Sequence, residues 1–121
     1  FILINSNYKL GVMINMDIEN ITMQLITCAG DARTYSYEAL KCANEGRYKK
    51  AEELFKMAEK EIEKAYDIQK EVSELELDSE ELLVDAKSHL NAAISEKNII
   101  GELIGLRKIV RELSKDEGGI L

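Results

Sequence analysis

No proline interrupts the 121 residues of this chain, and apolar side chains recur along most of it at spacings of three and four. Proline is the strongest helix breaker, and that spacing places side chains on one face of a helix. Long α-helices are the expected outcome. The fullest example runs from Ser79 to Leu113, where Leu82, Ala86, His89, Ala93, Ile100, Leu103, Leu106, Val110 and Leu113 fall on one stripe. Asp78 or Ser79 is placed to cap its start, and Glu81 stands three residues after Asp78 as in a capping box. Glu80 and Glu81 suit the positive end of the macrodipole, and Arg107, Lys108 and Arg111 suit the negative end. The only histidine, His89, lies in the first third of this helix, on or beside the stripe expected to be buried. Asp85 precedes it by one turn.

Two further helices are expected. The first runs from about Asp17 to Asn44, with Ile18, Ile21, Leu25, Cys28, Ala32, Tyr35, Ala39 and Cys42 on one face. Gly30 inside it is expected to mark close packing or a kink, and Gly46 reads as the stop signal. The second runs from Tyr48 to Leu75 with a heptad seam of Ala51, Phe55, Ala58, Ile62, Ala65, Gln69 and Val72. Short connections between long helices give an all-α, three-helix antiparallel up-down bundle over residues 17–115. Residues 1–16 are expected as a loosely ordered N-terminal arm and residues 116–121 as a C-terminal tail. The third helix also carries Leu83, Val84, Leu90, Ile94, Ile99, Ile104 and Ile109 beyond its first stripe. A second apolar face of that size is expected to bury against other subunits.

The formal net charge is −7. No basic stripe exists to displace counterions from phosphates, which excludes nucleic acid, and acidity disfavours anionic membrane surfaces. No stretch is long and apolar enough to span a bilayer. The two cysteines, Cys28 and Cys42, stand about 21 Å apart on one helix and cannot bridge each other. They read as buried structural thiols in a reducing compartment. One histidine and two distant cysteines make no conventional zinc site, and no Walker loop, dinucleotide fingerprint or serine triad is present. Gly101 and Gly105 have the spacing of a close helix approach.

Three segments carry a family likeness. They are Met23-Gln-Leu-Ile-Thr-Cys-Ala-Gly-Asp-Ala-Arg33 with Tyr37-Glu-Ala-Leu-Lys41, Gly46-Arg-Tyr-Lys-Lys-Ala-Glu52 with Ala65-Tyr-Asp-Ile-Gln69, and His89-Leu90 through Gly101-Glu-Leu-Ile-Gly-Leu106. Together they resemble the enzyme IIA component of the lactose/cellobiose class of the bacterial phosphoenolpyruvate-dependent sugar phosphotransferase system. The resemblance implies three-helix protomers that form a homotrimer. It also implies a histidine near the start of the third helix, phosphorylated by the histidine-containing phosphocarrier protein and discharged to a cysteine of a IIB component. The family motif there reads His-x-Gln-Asp-His-Leu, with its aspartates holding a metal ion on the trimer axis.

In ungapped register, Asp85 stands where the resemblance places the phosphoacceptor histidine, Lys87 at the glutamine, Ser88 at the metal-binding aspartate and His89 at the second histidine. A serine hydroxyl is a weak ligand for a hard dication, so no metal cofactor is expected. His89 is either the acceptor, one turn past its usual place, or a packed histidine paired with Asp85. Asp85 itself is either an acceptor or a solvated carboxylate. Lys87 and Gln69 are candidate supports of the site, and Asp31 and Arg33 either support it, pack against another subunit or form a surface pair. The chain is expected to be a diverged cytoplasmic IIA protein, its relay either carried by His89 or lost. The alternative is a non-catalytic helical interaction or regulatory protein that keeps the IIA fold. An accessible His89 ring favours the first reading. A buried ring, or one locked to Asp85, favours the second.

Overall fold

The computed structural model describes residues 2–78 and 80–116, with side chains described over 17–78 and 80–115. It contains three helices: α1 over Ile2–Asn44, α2 over Tyr48–Glu74 and α3 over Glu81–Asp116. At 1.5 Å per residue these span about 65, 40 and 54 Å. Arg33 reaches Glu96 and Arg107 reaches the Asn44 carbonyl, both across 63 positions, so α1 and α3 run parallel with α2 antiparallel to both. This is the expected up-down arrangement. α1 is the central element and packs along both partners, while α2 and α3 scarcely meet.

The first turn forms as expected at Gly46, whose φ of +81° suits glycine. Its N–H donates to the Ala43 carbonyl and that of Arg47 to the Cys42 carbonyl, the Schellman pair of bonds. α2 ends the same way, with Glu76 N–H donating to Ser73 and Leu77 N–H to Val72. Here the left-handed position holds Glu76, at φ 56°. A β-carbon in that conformation costs roughly 1 kcal/mol. Glu76→Gly is therefore expected to stabilise the fold by about 0.5–1 kcal/mol, read as a rise in the urea midpoint at unchanged slope.

Burial follows the architecture. Ile18, Leu25, Cys28 and Ala29 of α1 meet Ala65 and Val72 of α2 and Leu83, Ala86, Leu90 and Ala93 of α3 in one core. Ala39, Cys42 and Ala43 meet Ala51 and Leu54 in a second. Because α1 faces two helices, its buried surface is wide enough to include Thr22 and Ser36. Their hydroxyls donate to the carbonyls of Ile18 and Ala32 at 2.7 and 2.8 Å, which removes the penalty for burying them.

Five expectations change. α1 begins at Ile2, not near Asp17, so residues 2–16 continue the helix where a loose arm was expected. Nothing between Ile2 and Asp17 stops a helix: there is no proline, and the single Gly11 costs only about 1 kcal/mol. α3 begins at Glu81, and the Asp78 carboxylate accepts instead from the Ser73 hydroxyl at 3.3 Å, so it does not cap α3. The alternative cap, Ser79, lies outside the described residues, as do Phe1 and most of the expected tail. Gly30 has open space where a β-carbon would sit, so it marks no close packing within the protomer. Gly101 does, since a β-carbon there would come within 2.9 Å of the Phe55 ring, while Gly105 is open.

The last change concerns the α3 stripe. The buried residues are Leu83, Ala86, Leu90, Ala93 and Ile100, whereas Leu82, Leu103, Leu106, Val110 and Leu113 are about half exposed. The expected stripe coincides with the core at Ala86, Ala93 and Ile100 and leaves it after Ile100. Leu83 and Leu90, assigned to a second face, belong to the core.

Candidate functional site

The candidate residues of α3 occupy two different sides of the helix. Ala86 and Leu90 point into the core. At 100° per residue, Asp85 and His89 lie together on the flank turned from α2, and Lys87 lies on the flank facing α2. The structure thus brings Asp85 together with His89, and Lys87 together with Gln69, but does not join the two pairs.

His89 is exposed, not packed into the stripe. Among the described residues it makes no hydrogen bond or ion pair, with Asp85 or any other group. Asp85 is likewise exposed. Ser88 is exposed and its hydroxyl donates to the Val84 carbonyl at 3.3 Å. Two turns beyond His89 on the same flank, Glu96 accepts from Arg33 Nε at 2.8 Å. Arg33 thus fastens α1 to α3 beside the histidine, and its pairing within the sequence segment with Asp31 is not observed. Asp31 instead lines a groove of about 570 Å³ between α1 and α2 with Glu61 and Lys64.

Gln69 and Lys87 border a second cleft, of about 420 Å³, between the end of α2 and the start of α3. Leu25 of α1 forms its floor, and Tyr66 and Lys70 line it with them. Sequence reasoning missed Tyr66 and Lys70. Lys70 follows Gln69 directly, but no repeat or motif marks the position.

Both cysteines are buried and free. Burial first, and then the negative charge and hydrogen-bond acceptance of Glu61, push the Cys28 thiol above its ordinary value. The neutral thiol is the form that folding favours. Its contribution to stability is complete below the ordinary thiol range and is lost as pH rises through the raised value. The denaturation midpoint is therefore expected to fall at alkaline pH, and Cys28→Ala to flatten that fall. Alkylation of Cys28 by iodoacetamide at pH 8 is expected to run at least about tenfold slower in the folded chain than in urea.

No group of three or more histidine, cysteine or acidic side chains that could hold a metal ion occurs within the chain among the described residues. No helix is long and apolar enough to cross a membrane among them.

Known proteins share this sequence pattern and this fold. Residues 20–108 match the family described as "PTS system, Lactose/Cellobiose specific IIA subunit". The chain is 31% identical over 99 residues to the oligo-beta-mannoside-specific EIIA component of Bacillus subtilis (strain 168), covering 78% of this chain and 90% of that protein. It is similar in structure to the cellobiose-specific enzyme IIA of Bacillus anthracis, with a TM-score of 0.70 and 35% identity over 77% of this chain and 90% of the other. The IIA(chitobiose) of Escherichia coli, solved in complex with HPr, gives a TM-score of 0.70 at 28% identity over 77% and 95%. The family match includes the Asp85–His89 segment, and the chain belongs to the lactose/cellobiose-specific IIA subunits of the phosphotransferase system.

Proposed function

We propose that this chain relays a phosphoryl group from the histidine-containing phosphocarrier protein to a IIB component, with His89 as the acceptor. The observation that carries the reading is the state of the His89 ring, exposed on the flank of α3 and without a partner among the described residues. A phosphoacceptor imidazole needs an unprotonated nitrogen open to in-line attack. In the transfer, that nitrogen bonds to phosphorus as the donor's P–N bond breaks, and the donor ring leaves with the electron pair. The second transfer reverses the roles, with a IIB thiolate taking phosphorus as the His89 P–N bond breaks. Asp85, at the position the resemblance gives to the family's acceptor, is one turn away on the same flank and is read here as a solvated carboxylate beside the acceptor.

Self-association completes the reading. Along one stripe of α3, Ile99, Leu103, Leu106, Val110 and Leu113 are all 45–61% exposed, and Leu103, Leu106 and Val110 also border a cavity of about 790 Å³ shared with Leu40 and Ala43 of α1. The stripe repeats at four and three and continues back through Ser95 and Ala92 to Ser88. A homotrimer packed along it places Ser88 toward the axis. The donor set there does not fit a hard dication: Ser88 offers a hydroxyl already bonded to a carbonyl. No metal is assigned to it, and no step of the relay depends on one. A cytoplasmic location follows from the partners.

The test is phosphoryl transfer from radiolabelled phosphoenolpyruvate through enzyme I and the phosphocarrier protein, then chase onto a IIB component. Stoichiometric label that chases is expected. No label, where an ordinary IIA protein is labelled in the same mixture, refutes the relay.

A further inference from the structure

α2 and α3 both lie on α1 but scarcely touch each other, so a groove runs between them with α1 as its floor. Toward one end the groove is filled, by Phe55 against Gly101 with the Lys97 ammonium 5.4 Å from the ring centre. Toward the other it opens into the cleft of about 420 Å³ bordered by Gln69, Lys70 and Lys87. This is within the size range of small-molecule sites, and larger than a bare inorganic anion requires.

The chemistry of its walls is specific. Lys70 rises from α2 and Lys87 from α3, so two ammonium groups border one cleft from opposite sides. The chain carries 23 acidic against 16 basic residues, and Lys50, Lys56 and Lys64 each have a glutamate partner. Among the described residues Lys70 and Lys87 have none. The Gln69 amide and the Tyr66 hydroxyl are also unpartnered there. One carboxylate, Asp78, borders the cleft, and it accepts from the Ser73 hydroxyl at 3.3 Å.

We infer that the cleft between α2 and α3 is a binding site for a small polyhydroxylated phosphate ester. Lys70 and Lys87 take the phosphate, and the Gln69 amide and Tyr66 hydroxyl take the ligand's hydroxyls. Charge-assisted bonds to phosphate supply the affinity, and the amide and hydroxyl supply preference for a hydroxylated ligand. The site lies on the flank of α3 facing away from His89 and from the exposed apolar stripe.

The test is calorimetry on the full chain with glucose 6-phosphate, inorganic phosphate and glucose as probes, alongside NMR of the Gln69 side-chain amide. Glucose 6-phosphate is expected to bind with a dissociation constant in the millimolar range or tighter and to shift the Gln69 amide. Lys70→Met and Lys87→Met are each expected to weaken it about tenfold. Both side chains are exposed, and unchanged circular dichroism confirms that each variant folds. Glucose is expected not to bind. Inorganic phosphate binding as tightly as the ester overturns the assignment of the ester class. Absence of binding, or binding that neither lysine variant weakens, overturns the site.

Discussion

His89→Ala is expected to reduce phosphorylation by the phosphocarrier protein to background, a loss of at least about a hundredfold. The side chain is exposed and makes no bond among the described residues, so its removal leaves the core intact and the melting temperature nearly unchanged. Loss of label without loss of fold separates a chemical role from a structural one. Asp85→Asn is expected to keep most of the label, because among the described residues Asp85 makes no hydrogen bond that would orient the ring. Label that survives in His89→Ala and disappears in Asp85→Asn would move the acceptor one turn back. The chemistry would then be that of an acyl phosphate, labile to hydroxylamine.

Leu90→Ala and Leu106→Glu are expected to fail in different ways. Leu90 is 0% exposed and packs in the core that joins all three helices. Truncating it removes buried apolar contacts and leaves a void, at a cost of about 3 kcal/mol. For a chain of this size that lowers the melting temperature by roughly 10–20 °C. Leu106 is 58% exposed in the protomer and belongs to the exposed apolar stripe of α3. Leu106→Glu is expected to leave helicity unchanged while shifting sedimentation from trimer to monomer, since a carboxylate cannot be buried unpaired at a subunit contact. A wild-type chain that sediments as a monomer contradicts the trimer directly.

The two leucines also show what periodicity reveals and what it does not. On α1 the three-and-four spacing correctly marks Ile18, Leu25, Cys28, Ala32, Ala39 and Cys42 as core, although adjacent pairs such as Leu25–Ile26 and Ala39–Leu40 occur there too. On α3 they come in adjacent pairs, such as Leu82–Leu83, Ile99–Ile100, Leu103–Ile104 and Ile109–Val110. Each pair offers one residue to either side of the helix, so spacing alone fits more than one stripe. The structure resolves the choice through small residues: Ala86 and Ala93 lie flush against α1, and their phase selects Leu83, Leu90 and Ile100. The same shift of phase carries His89 out of the core edge to an exposed flank. In α2 the core position is Leu54, with Phe55 only partly buried, because either residue fits the spacing of the seam.

The candidate site was legible in part. Asp85, Ser88 and His89 stand out because they fall within a motif segment, and their shared exposure needs only helical geometry. The Gln69–Lys87 cleft depends on how far apart α2 and α3 stand over α1, a tertiary property that no local pattern encodes. The beginning of α1 at Ile2 was hidden by the absence of a cap signal, although the residues before Asp17 contain nothing that halts a helix.

The most direct test of the central claim is to locate the phosphoryl group. The chain would be phosphorylated to completion, digested at alkaline pH to preserve phosphoramidate bonds, and its fragments sequenced by mass spectrometry. One phosphoryl group on His89 is the result this structure predicts. A phosphoryl group on Asp85 or elsewhere, with His89 unmodified, would contradict it.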